Sequence, residues 1–110
     1  MGYIKNIEPE QVLRLAEQIS VETGKVVHKT LVQNKAVSLT LFAFDKKQEI
    51  STHASQGDAM VTVLEGVGIF TIAGEAYTVR AGETILMPAK KPHMVFATES
   101  MKMLLTVIFS

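Results

Sequence analysis

Two different periods divide the chain. Between positions 9 and 19 the apolar residues Val12, Leu13, Leu15, Ala16 and Ile19 recur close to every 3.6 residues, as on an amphipathic helix. Pro9 suits a first helical position, where its missing N–H would be unpaired anyway. Glu8 and Glu10 lie near the positive end of the helix dipole, and Gly24 follows as a stop signal. The pattern predicts a helix over 9–19 that packs on the rest of the chain.

After Gly24 the pattern changes to short β-branched or aromatic runs: 25–33, 36–44, 49–54, 59–64, 69–72, 77–80, 84–87, 93–97 and 101–109. The breaks between them carry turn residues, among them Asn34-Lys35, Asp45-Lys46-Lys47, Gln56-Gly57-Asp58, Gly66, Gly74-Glu75 and Ala81-Gly82. Nine strands with no helix-length interval predict an antiparallel sandwich or closed barrel. No repeat or linker interrupts them. Residues 1–24 are expected as an arm and helix, and residues 25–110 as one all-β domain.

Alternation along the strands assigns faces. Glu49, Ser51, His53 and Ser55 share one side, with Ile50, Thr52 and Ala54 on the other. In the first strand Val26, His28, Thr30 and Val32 share a side, which points His28 inward. The last strand is apolar on both faces, with Met101, Met103, Leu105, Val107 and Phe109 opposite Leu104 and Ile108. Strand 59–64 behaves similarly, with Val61 and Val63 opposite Met60 and Leu64. A strand that is apolar on both sides must be covered on both sides. The core covers one, and a partner subunit is the expected cover for the other.

Composition narrows the function. The 110 residues, 47% of them hydrophobic, are enough for one core and too few for two. Eleven basic residues are balanced by eleven acidic ones and interspersed with them, so no nucleic-acid surface is expected. Cysteine is absent, which removes disulfides, thiolate metal sites and cysteine nucleophiles. The start has no basic-then-apolar leader, and the apolar runs are far shorter than the ~20 residues that span a bilayer. A soluble, cytoplasmic domain without a membrane partner is expected. Ser55 has no triad partners at suitable spacing, and Gly66-Val67-Gly68 opens no helix of a phosphate loop.

The informative stretch runs from His53 to His93: HASQGDAMVTVLEGVG, a short two-strand insert, then GETILMPAKKPH. It resembles the two motifs of the cupin superfamily. The second motif there is a glycine, five residues, Pro-x-Gly, two residues, a histidine, three residues and an asparagine. Here Gly82, Pro88 and His93 keep that spacing, with Lys90 at the second glycine and Ala97 at the asparagine. In the first motif His53 takes the first histidine position and Gly66 the closing glycine. Fifteen residues separate Gly66 from Gly82, a gap typical of small microbial members. The resemblance spans roughly residues 36–109 and implies an all-β, antiparallel jelly-roll barrel with the short helix outside it. It also implies a homodimer, the commonest closed assembly.

The departures fall on the metal ligands. Metal-binding cupins usually use three histidines and a glutamate. Ser55 stands at the second histidine, Ala59 at the glutamate and Lys47 at the opening glycine. His53 and His93 are the two family ligands left, and the resemblance implies that they face each other across one end of the barrel. The expected cofactor is one divalent metal ion (zinc, nickel, copper, iron or manganese) on His53 and His93. His28, Asp58 or Gln56 would supply a third donor. Asp58 faces away from the cavity in a regular strand and turns inward only through a bulge at Gly57.

The expected ligand set is His53, Ser55, His93 and His28, around a small molecule in the barrel. A relic site with merely hydrogen-bonded histidines stays open beside it. Lys90-Lys91 offers either an attraction for anions or a solvated loop, and the methionine-rich strands offer either core packing or an adaptable pocket. Two function classes follow: a small-molecule-binding cupin, or a metal-dependent dioxygenase or isomerase acting on a small carboxylate or sugar-like substrate.

Overall fold

Nine strands follow the turn punctuation of the sequence in a computed structural model that describes residues 2–109; Met1 and Ser110, the ends of the expected domain limits, lie outside the described residues. They are β1 (Val26–Gln33), β2 (Val37–Phe44), β3 (Glu49–His53), β4 (Asp58–Glu65), β5 (Val67–Ile72), β6 (Glu75–Arg80), β7 (Thr84–Met87), β8 (His93–Ala97) and β9 (Met101–Ile108). One sheet has the order β1-β2-β9-β4-β7 and the other β3-β8-β5-β6. All ladders are antiparallel, and the two sheets together form the jelly-roll barrel.

The core lies between the sheets. Cross-strand neighbours Phe44 and Met101 are fully buried, as are Val61, Val63, Phe70 and Ala97. Gly66 turns β4 into β5 at a φ of 78°, a left-handed conformation that costs glycine little. A Cβ on Gly66 would overlap the Ser100 carbonyl, so the same residue also admits a close approach of backbone.

The helix expected over 9–19 does not form. The segment is an extended arm containing one 3-10 turn, Leu15–Gln18. Glu10 sits at a φ of 59°, which breaks any helix starting at Pro9. An eleven-residue helix is marginal without tertiary support. Extended chain also covers about twice the length of sheet per residue. The arm's Ile7, Leu15, Ile19 and Val21 pack on Leu31, Leu41 and Ala43, forming a second apolar cluster outside the five-stranded sheet. Lys5 N–H donates to the Leu31 carbonyl at 2.9 Å, beside a register shift between Thr30 and Val32. Lys29 and Lys102 donate to the carbonyls of Gln18 and Ala16 at the turn.

This arm changes the account of the doubly apolar strands. Leu104 of β9 and Leu64 of β4, expected to need a partner subunit, pack in the arm's cluster. Among the described residues of the strands, Met60, Leu86 and Ile108 remain as exposed large apolar residues on that sheet face.

Candidate functional site

His53 ends β3 and His93 begins β8, and the two are direct cross-strand partners. Strict alternation would have put Ile50 and His53 on opposite faces. The ladder instead carries a register shift: three steps from Ile50 to His53 oppose two from Val95 to His93. The extra residue turns both Ile50 and His53 toward the interior, as a β-bulge does. Their alternation in the sequence gave no sign of it.

The imidazole rings lie 4.4 Å apart between centroids and are inclined at 66°. Nδ1 of His53 lies 3.0 Å from the Ser51 carbonyl oxygen, and Nδ1 of His93 lies 3.2 Å from that of Lys91. A carbonyl only accepts, so Nδ1 carries the proton in each bond and Nε2 is the lone-pair nitrogen of each neutral ring. His93 is buried and His53 is exposed. Burial pushes the His93 pKa below the usual histidine value; the bond to the Lys91 carbonyl opposes this, and the neighbouring His53 adds to it.

The pair opens on a cavity of about 410 Å³ between the sheets. Three of its eleven lining residues are polar: His53, Ser55 and His93. The other eight are apolar, among them Phe42, Ile50, Met87 and Met103. Two methionines thus line the pocket, while Met101 is core. Ser55 is half-buried; its Oγ accepts the Gly57 N–H at 3.2 Å, which leaves its hydroxyl proton free to donate. The Ser55 carbonyl accepts the Lys90 N–H at 2.8 Å. The 88–92 loop therefore positions Ser55 and His93 through its backbone, and the Lys90 and Lys91 side chains are exposed.

The candidate third donors fall elsewhere. His28 shares a sheet face with its partner Phe42, but it is exposed, lies against the Phe42 ring at 5.9 Å and does not line the cavity. Asp58 accepts the Ala89 N–H at 2.8 Å, while Ala59 takes the inward position. Gln56 is exposed. Among the described residues no group of three or more His, Cys, Asp or Glu side chains could hold a metal ion. The imidazole pair has suitable chemistry for a divalent cation, with each Nδ1–H fixed by a carbonyl. Two donors are nevertheless a partial set, and the residues do not fit a tightly held resident ion.

A second, larger hollow of about 770 Å³ lies between β6 and β7, lined by Tyr77, Ile85, Pro88 and Lys91 among others. It does not touch the histidines.

The comparisons agree with this architecture. A conserved protein of unknown function from Streptococcus pyogenes is 45% identical over 100% of this chain and 96% of its own, with a TM-score of 0.98. A cupin superfamily protein from Desulfitobacterium hafniense is 25% identical over 99% of this chain and 100% of its own, with a TM-score of 0.94. A cupin 2 conserved barrel domain protein from Leptotrichia buccalis is 38% identical over 87% of this chain but 47% of its own, with a TM-score of 0.85. No functionally curated protein matches. The cupin domain family matches residues 40–109, which include both histidines and the strands that carry them, and the chain belongs to that family.

Proposed function

We propose that this protein binds a small molecule in the barrel cavity, with the ligand's polar end at His53, Ser55 and His93. The observation that carries this reading is the cavity itself: a largely apolar space between the sheets whose lining includes three polar side chains, the usual make-up of a small-molecule site. The imidazole pair also holds a divalent cation weakly, with ligand oxygen and water completing its shell. A metal-dependent dioxygenase or isomerase is the less favoured reading, because an oxygen-activating iron typically uses a carboxylate beside two histidines. That position is Ala59, and the nearby Asp58 carboxylate is engaged by Ala89. The proposal includes a homodimer and a cytoplasmic setting.

The test uses methyl NMR of methionine-labelled protein against a mixed fragment library. Binders should shift Met87 and Met103, both cavity residues, and Ala59→Phe should abolish the shifts by filling the space. If no fragment of any class moves either methyl group, the cavity is not a binding site. Zinc or nickel titration should give weak binding that His53→Ala and His93→Ala each remove. Tight binding in wild type, or binding unchanged in both variants, would reject the two-imidazole site.

A further inference from the structure

We propose that the ligand is a small single-ring phenol: one apolar ring bearing a hydroxyl that meets His53, His93 and Ser55. This rests on the reading of the cavity as a binding site and names the chemical class that the site selects.

The polar end is asymmetric in its hydrogen bonding. Both Nδ1 atoms are committed to the carbonyls of Ser51 and Lys91, so each ring, when neutral, offers its Nε2 as an acceptor. Ser55 already accepts from Gly57 and offers one donor. A hydroxyl is donor and acceptor at once: it can donate to an Nε2 and accept from Ser55. A carboxylate only accepts, so beside neutral rings it gains the serine alone, and a bond to an Nε2 requires that ring to take up a proton first.

The walls set the rest of the molecule. Beyond the three polar side chains, the lining offers no side-chain hydrogen-bonding partner. A sugar carries a hydroxyl on nearly every carbon, and each one buried without a partner costs about 1–3 kcal/mol. Several such penalties outweigh what one polar end can return. An aromatic ring has no such requirement. Phe42 contributes an aromatic ring to the lining, and Met87 and Met103 offer polarisable sulfur, which makes favourable contacts with aromatic rings.

The experiment compares 4-methylphenol, toluene, 4-methylbenzoate and glucose on metal-free protein, read as dissociation constants from the Met87 and Met103 methyl shifts. The expected order is 4-methylphenol tightest. Toluene should be about tenfold weaker, the worth of one hydrogen bond to a buried group. 4-Methylbenzoate should be weaker still, and glucose should not bind.

In the triple variant His53→Leu, His93→Leu and Ser55→Ala, which removes every polar side chain of the lining, the preference for 4-methylphenol over toluene should shrink toward unity while toluene binding persists. Folding of that variant is checked by the persistence of toluene binding. If 4-methylbenzoate or glucose binds as tightly as 4-methylphenol, the phenol assignment is wrong and the cavity remains a ligand site. It is equally wrong if the phenol preference survives in the triple variant. If none of the four probes and no library fragment binds, the cavity reading fails with it.

Discussion

His53 and His93 are cross-strand partners with ring centroids 4.4 Å apart, yet one ring is exposed and the other buried. The pair is therefore electrostatically unequal. The buried ring resists a proton on account of its desolvation, and a charge on its neighbour increases that resistance.

A pH dependence of stability follows. The folded pKa of His93 lies below its unfolded value, so as the pH falls the unfolded chain takes up the proton first. The stability due to this group is fully present above the unfolded value of about 6.5 and is lost as the pH falls below it toward the folded pKa. Urea midpoints should drop between about pH 7.5 and about pH 5.5 with little change in slope. His93→Gln should flatten that drop. An equal drop in the variant would assign the effect to other groups.

Two lysines occupy left-handed backbone where the family motifs have glycine. Lys47 has a φ of 66° and Lys90 a φ of 67°. That conformation costs a side-chain-bearing residue about 1–2 kcal/mol, of which glycine returns about 0.4–1 kcal/mol through its more flexible unfolded state. Lys47→Gly and Lys90→Gly should each raise stability by about 0.5–1 kcal/mol in urea melts. A loss of stability in either variant would mean that the lysine side chain holds its loop by contacts outweighing the strain.

The strands were legible because β-branched runs and turn residues alternate at short intervals, and all nine form within a few residues of their expected limits. The arm imitates a helical period through Val12, Leu13, Leu15, Ala16 and Ile19, but only Leu15 and Ile19 of these join the cluster on the sheet, in a mostly extended chain, and Val12 is exposed. At the site, motif spacing singled out His53 and His93, and the structure brings them together. The bulge that turns His53 inward beside Ile50 depends on the β3–β8 register, a tertiary property with no local residue signal. His28 illustrates the limit of alternation: it has the expected face, but that face at β1 lies beyond the cavity wall.

Gly66 tests the turn that closes the first motif. Its φ of 78° disfavours any other residue, and an added Cβ would meet backbone of Ser100 and Met101 rather than a yielding side chain. The left-handed strain alone costs about 1–3 kcal/mol, and the overlap adds to it. Gly66→Ala should lower stability by roughly 3 kcal/mol or more, measured by urea denaturation. Gly74, at a φ of 86° but with open space around it, should lose only about 1–2 kcal/mol on the same change. Equal losses at the two sites would show that close packing at Gly66 contributes nothing beyond its dihedral angle.

The last prediction concerns assembly. Met60 and Leu86 are cross-strand partners on the outer face of the five-stranded sheet, 45% and 57% exposed, with Ile108 at 48% on the same face. The chain's own arm packs over β1, β2, Leu104 of β9 and Leu64 of β4, and its cluster does not include Met60, Leu86 or Ile108. The arm in turn carries Tyr3, Ile4 and Val12 with no cover in the single chain, 95%, 54% and 105% exposed. Each copy thus has an uncovered apolar sheet patch and an uncovered apolar segment. A two-fold pairing can satisfy both in each subunit at once. Full burial of such side chains is worth about 1.5–3 kcal/mol each, so a handful per subunit can sustain association at micromolar concentration. Light scattering should give a mass about twice the 12.1 kDa of the chain. Met60→Glu with Leu86→Glu, both surface positions that the core does not use, should give a folded monomer. A wild-type mass of 12.1 kDa at micromolar concentration would reject the dimer, and a dimer unaffected by the double change would move its interface to another face.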